Sequence, residues 1–188
     1  MDAQEIHNYI ERLGNLLRNE IRQLGSSFGL LPVQLEALHY LSICNRFSDT
    51  STGVAEYLGQ TKGTVSQTLK VLERKGLIER QVDEADKRVI HLKVTGAGEN
   101  LLTGIVPAPN FVKGLETVER KSRRQMGDSL GLLLERLQQA NGSRSFGVCR
   151  SCRYNGVDEQ GGFFCNLIKT PLSGRDVQRV CREHVRAA

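Results

Sequence analysis

The chain has 188 residues, with 26 Lys plus Arg against 21 Asp plus Glu and a net charge of +5. A hydrophobic content of 39% suffices for one or two globular domains with a sizeable core, and the basic balance points weakly toward a polyanionic partner. No run approaches the roughly 20 apolar residues of a membrane span, and "MDAQEIHNYIERLGNLL" alternates charge with apolar side chains unlike a leader peptide; a cytoplasmic protein is expected.

In chain order, Ile6, Ile10, Leu13, Leu17, Ile21 and Leu24 recur at spacings of three and four, which predicts an amphipathic helix over about residues 4–24. "GSSFGLLP" interrupts it, and Pro32 is placed for the first turn of a second helix carried by Val33, Leu35, Leu38, Leu41 and Ile43. "NRFSDTST" reads as a loop, "GVAEYLGQ" as a short third helix, and "TKGTVSQTLKVLERKG" as a fourth, stopped by Gly76. "LIERQVDEADKRVIHLKVT" reads as two strands around a polar tip. Beyond Gly98 the helical spacing weakens, and Pro107 and Pro109 break it. "LETVERKSRRQMGDSLGLLLERLQQ" is helical again, with Leu130, Leu133, Leu134 and Leu137 on one face.

The expected architecture is mainly α with a small β-wing, an α+β winged helix-turn-helix. Residues 1–140 form the first unit, 141–146 a linker by composition, and 147–188 a cysteine-rich metal- or cluster-binding segment.

At 100° per residue, Val65, Leu69 and Leu72 fall within about 60° of one another and face inward. Gly63, Ser66, Gln67, Lys70 and Arg74 fall on the opposite side. Hydroxyl, amide and cationic groups, beside a glycine that admits close approach, are what a helix brings into a major groove. Thr61 can cap this helix, and its N-terminus suits a phosphate. The short helix before it, joined by about "GQT", completes a helix-turn-helix pair. Arg80 lies on the approaching strand, and the tip "DEADKR" places Lys87 and Arg88 where a hairpin reaches a minor groove, with Asp86 holding Arg88.

"TKGTVSQTLKVLERKGLIERQVDEADKRVIHLKVTGAG" resembles the recognition helix and wing of MarR-type winged-helix repressors. The likeness is specific over residues 61–98 and architectural over about 4–139. It implies a homodimer with interleaved terminal helices, two recognition helices on a pseudo-palindromic double-stranded DNA operator, and control of a nearby operon. It further implies DNA contacts from Thr61, Lys62, Thr64, Ser66, Gln67 and Lys70 on the helix, and from Lys87 and Arg88 on the wing. The prolines depart from the long uninterrupted helix the family runs out of the wing, and no residue specifies a small-molecule effector.

The last segment is spaced Cys149-x2-Cys152-x12-Cys165-x15-Cys181-x2-His184. In a reducing compartment, clustered cysteines more often hold metal than form structural disulfides. A segment of this size also needs a staple to fold. Cys149, Cys152, Cys165 and Cys181 suit an iron–sulfur cluster, with Zn2+ as the alternative; a zinc set of Cys149, Cys152, Cys181 and His184 would leave Cys165 free. Phe163, Phe164, Leu167, Ile168 and Leu172 are expected to shield the site, and a short helix capped at Ser173 to present Cys181. Cys44 reads as core. His7, His39 and His91 suggest no role, with His91 facing solvent. No catalytic set is present, so an enzyme is not expected; a thiol oxidoreductase built on Cys149 and Cys152 is the remote alternative, lacking the βαβ context of such sites.

Overall fold

A computed structural model of the chain describes residues 2–187. Helix α1 (Ala3–Ser26) opens on a capping box: Asp2 accepts from the Glu5 amide, and the Glu5 carboxylate accepts from the Asp2 amide. Its first half leaves Ile6, Tyr9, Ile10, Leu13 and Leu16 exposed, and only Ile21 and Leu24 reach the core. Helix α2 (Pro32–Ile43) begins on Pro32 and buries Leu35, Leu38, Tyr40 and Leu41.

Helix α3 (Ser51–Leu58) starts earlier than expected, inside the stretch read as loop. The reason is Thr50, whose side chain accepts the Gly53 amide at 3.2 Å and caps the helix. Gly59, at φ 61°, turns the chain out of α3. Helix α4 (Lys62–Arg74) follows, with Thr61 accepting the Thr64 amide at 3.2 Å. Gly76, at φ 66°, stops it as anticipated, and the Leu77 amide returns to the Leu72 carbonyl at 3.0 Å. Strands β1 (Ile78–Val82) and β2 (Ile90–Val94) pair antiparallel, Ile78 opposite Val94 and Val82 opposite Ile90. One core unites these elements around Leu38, Val54, Leu69, Leu72 and Leu92.

After the wing come α5 (Gly96–Thr103), α6 (Pro109–Glu116) and α7 (Arg120–Ala140). The prolines do divide this region, and Pro109 also starts α6. The single helix expected over 115–139 is two: α6 ends at Glu116 and α7 begins after Glu119. Tertiary packing decides this. Phe111 and Leu115 face Leu13 and Leu16 of α1 across an apolar cleft, and the Asn110 amide donates to the Glu20 carboxylate at 2.7 Å. No helix among the described residues is long and apolar enough to cross a membrane.

The C-terminal segment holds a 3-10 turn (Cys149–Ser151) and a small antiparallel sheet, β3 (Asn155–Val157), β4 (Phe163–Cys165) and β5 (Thr170–Pro171). Helix α8 (Gly174–Val177) is capped by Ser173 as expected, though Cys181 lies beyond its end. The stretch read as a linker is docked. Phe146 stacks edge-on against Tyr40 and Tyr57, with ring centroids 6.0 and 5.2 Å away, and Arg144 pairs with Glu56 of α3 at 3.0 Å. Val180 lies beside the end of α2, its amide on the Ile43 carbonyl at 3.0 Å and its carbonyl on the Asn45 amide at 2.8 Å.

Candidate nucleic-acid interface and cysteine cavity

On α4, Val65, Leu69 and Leu72 are buried together with Thr68, which the apolar pattern did not mark. Thr61, Lys62, Thr64, Ser66, Gln67 and Lys70 are all exposed, with Ser66, Gln67 and Lys70 opposite the buried side. Part of the hydroxyl capacity is engaged, since Thr61 Oγ1 and Thr64 Oγ1 stand 3.0 Å apart. At Gly63 an added Cβ would meet only Thr61 Oγ1, at 3.9 Å, so the backbone there is open to a partner.

On the wing, Arg88 is 90% exposed and held as expected by Asp86: its Nε and Nη2 each donate at 2.9 Å to the two carboxylate oxygens. Lys87 is exposed beside it. Arg80 stands differently from these. Its Nε donates to Glu73 of α4 at 3.0 Å, so it braces the wing root against the helix while remaining at the surface.

His91 does not face solvent. It is half-buried, with Nδ1 2.5 Å from Asp49 Oδ1 and Nε2 3.0 Å from Asp83 Oδ2, while Lys93 Nζ lies 2.5 Å from Asp49 Oδ2. Burial lowers its basicity, but the two carboxylates outweigh that and hold the imidazole above its ordinary pKa. Asp83 is held down to about 2 by the Asp86 amide first, then His91 and the Ala85 amide. The sequence signal available was that His91 and Lys93 share a strand face; nothing local names Asp49 as their partner.

Cys149, Cys152, Cys165 and Cys181 line one small cavity, which Leu167, Ile168 and Leu172 help enclose. Phe163 turns outward, 46% exposed. Burial, with Cys181, Cys152 and Cys165 adding to it, pushes the Cys149 thiol up to about 12. Five lining residues were not foreseen: Tyr154, Asn155 and Glu183, and Asn45 and Phe47 from the turn after α2. Burial also raises the Cys181 thiol pKa.

His184 is not on the cavity. Its Nδ1 lies 2.8 Å from Ser145 Oγ and its Nε2 3.0 Å from Ser151 Oγ, so both ring nitrogens have hydroxyl partners. Cys165, which the His184 set would have left free, lines the cavity with the other three cysteines. Among the described residues, no three His, Cys, Asp or Glu side chains form a group that could hold a single metal ion. All five cysteines are free thiols, and Cys44 lies in the core at 2% exposure.

Residues 28–89 match the model of the MarR family. Among curated proteins, the chain is 33% identical over 88 residues to an organic hydroperoxide resistance transcriptional regulator of Bacillus subtilis (strain 168), covering 47% of this chain and 60% of that protein. Among solved structures, it is similar to a mutant of S. aureus MepR bound to an oligodeoxyribonucleotide: 26% identity, TM-score 0.50, 70% of this chain and 98% of that one. It also shares its fold with a MarR transcriptional regulator from Methanosarcina mazei Go1, at 21% identity and TM-score 0.61, over 73% of this chain and 99% of that one. The helix-turn-helix and wing of this chain are thus similar, in sequence over 28–89 and in fold beyond it, to those of MarR-family transcriptional regulators.

Proposed function

We propose that the protein is a MarR-type transcriptional regulator, acting as a repressor, that binds a pseudo-palindromic operator as a homodimer. The carrying observation is the exposed face of α4, with its hydroxyl, amide and lysine side chains, flanked by a wing whose Arg88 is pre-set by Asp86. The DNA-bound MepR relative supports the same docking. The dimer is supported by apolar side chains the single chain leaves open on α1 and α7, such as Leu13, Leu16, Leu130 and Leu134. An operator selected from random-sequence duplex by the wild-type protein provides the test. Lys70→Ala and Arg88→Ala should each weaken binding, and loss of a phosphate-contacting lysine should lower the salt slope by about 1. Wild-type affinity in both variants would refute this docking.

The second part of the proposal concerns the tail. Cys149, Cys152, Cys165 and Cys181 would hold an iron–sulfur cluster, and the regulator's affinity for DNA would depend on it by linkage. Four thiols around one cavity, with His184 engaged elsewhere, support an all-cysteine donor set. A cluster would use all four cysteines; the alternative is a structural zinc. When bound, the cluster supplies a redox- and oxygen-sensitive group; the chain's part is to ligate and partly shield it. Anaerobic purification followed by an absorption spectrum and iron, sulfide and zinc analysis tests this. Iron and sulfide lost in Cys165→Ser support the cluster, and one zinc per chain without colour overturns it.

A further inference from the structure

The cysteine cavity is built across two parts of the chain. Cys149, Cys152 and Cys165 belong wholly to the C-terminal segment, but Cys181 is also gripped by the winged helix. Asn45 and Phe47, from the turn after α2, line the cavity with it. On one side of Cys181, Val180 is bonded through both backbone groups to Ile43 and Asn45. On the other, the Arg182 amide donates to Ser48 Oγ at 2.9 Å. The Arg182 guanidinium then takes Glu56 of α3 in a two-pronged pair, 2.7 Å on each arm.

The turn that receives Cys181 also governs both DNA-facing elements. Ser48 Oγ donates to Asn45 Oδ1 at 2.8 Å, and the Ser48 carbonyl accepts the Tyr40 hydroxyl at 2.9 Å, which fixes the turn on α2. Asp49 accepts the Leu92 amide at 2.7 Å through its carbonyl and takes His91 and Lys93 of the wing strand through its carboxylate. Thr50 caps α3, which packs on α4. Cys181 is therefore flanked on both sides by residues bonded to this turn, and the turn leads to the wing in one direction and to α3 and α4 in the other.

We infer that the cysteine site controls DNA binding within each protomer, through Cys181, Arg182 and the 45–50 turn, so that its occupancy sets the placement of α3, α4 and the wing. This rests on the proposed cluster. Ligation by Cys181 would restrain its backbone, and the bonds at Val180 and Arg182 would pass that restraint to the turn. The competing route, through the dimer helix, has a weaker basis. Arg186 meets Glu135 of α7 at 2.5 Å, but Arg186 is 61% exposed, and an ion pair at that depth contributes little.

The test measures affinity for the selected duplex with the protein cluster-loaded and after anaerobic chelation, for wild type, Arg182→Ala, Glu56→Gln and Arg186→Ala. The wild-type affinities should differ at least about tenfold, a coupling of ordinary size. In Arg182→Ala and Glu56→Gln the ratio should fall toward 1 while iron and sulfide content stays at the wild-type level. Arg186→Ala should keep the wild-type ratio. Glu56→Gln keeps the shape of the pair and serves if Arg182→Ala does not fold. Full loading with an undiminished ratio in both variants overturns the route, as does a collapsed ratio in Arg186→Ala alone. A wild-type protein that holds no metal overturns the cluster reading and this inference with it. Zinc in place of iron overturns the cluster reading alone, and the same ratio, zinc-loaded against stripped, then decides the route.

Discussion

Gly53 and Gly63 each lie in the first turn of a helix, yet alanine at these two positions should shift stability in opposite directions. At Gly53 an added Cβ would stand 2.3 Å from the Ser48 carbonyl oxygen and 2.7 Å from the Tyr40 hydroxyl. Restoring a carbon–oxygen contact of about 3.3 Å requires a backbone displacement of about 1 Å. Overpacking of this kind costs about 1–3 kcal/mol. Disturbing the 2.9 Å bond from Tyr40 Oη to Ser48 O adds about 1 kcal/mol. The better helix propensity of alanine returns at most about 1 kcal/mol. Gly53→Ala should therefore lose about 1–3 kcal/mol. Gly63 has no such neighbour, so Gly63→Ala should gain a fraction of about 1 kcal/mol. Urea unfolding reads both as a change in midpoint at constant m. The stabler Gly63→Ala should nonetheless bind the selected duplex several-fold more weakly, because its methyl group would stand on the DNA-facing surface. A midpoint that rises in Gly53→Ala would refute the close seating of α3 on the 45–50 turn.

Three other outcomes follow from named contacts. Because the His91 pKa is raised in the folded state, the stabilisation from its bonds to Asp49 and Asp83 is complete below about pH 6.5 and lost as pH rises through the raised value. Asp83, held at about 2, stays ionised across that acidic window. Thus His91→Gln should be most destabilised relative to wild type near about pH 5 and converge on it near about pH 9; a constant gap would place the effect in packing instead. Burial pushes the Cys44 thiol up to about 12, so iodoacetamide at about pH 8 should spare it in the folded protein and label it in urea, as peptide mass spectrometry would read. Finally, Leu130→Glu with Leu134→Glu should convert a dimer to a monomer in sedimentation velocity, since the single chain leaves these side chains 49% and 57% exposed. An intact dimer would move the interface off α7.

Local signals carried the helix-turn-helix and wing. The inward trio of α4, its Thr61 cap, its Gly76 stop and the Asp86–Arg88 pair all involve residues a few positions apart, where periodicity and short-range chemistry are readable. The misreadings come from distance. His91 finds Asp49 across the fold, and α6 parts from α7 because Phe111 and Leu115 turn toward α1. Thr50 is a nearer failure: its capping role was hidden in a uniformly polar run. The cysteine spacing identified the residues around the cavity, but the same spacing made His184 look like half of a zinc site, and only the positions of Ser145 and Ser151 show where its nitrogens go. Asn45 and Phe47 had no signal at all, since a cavity completed by another lobe leaves no trace in the spacing of its own ligands.

The docking of the tail also orders the protein's synthesis. The partners that Val180, Arg182 and Phe146 find on α2, α3 and the 45–50 turn leave the ribosome before they do. The winged helix therefore forms with the Ile43 carbonyl and Asn45 amide still hydrated, and with the Tyr40–Tyr57 pair uncovered. A newly made chain passes through this undocked form every time. The rate at which the tail closes on α2 thus sets how long each nascent molecule shows that surface to chaperones and to other copies of itself.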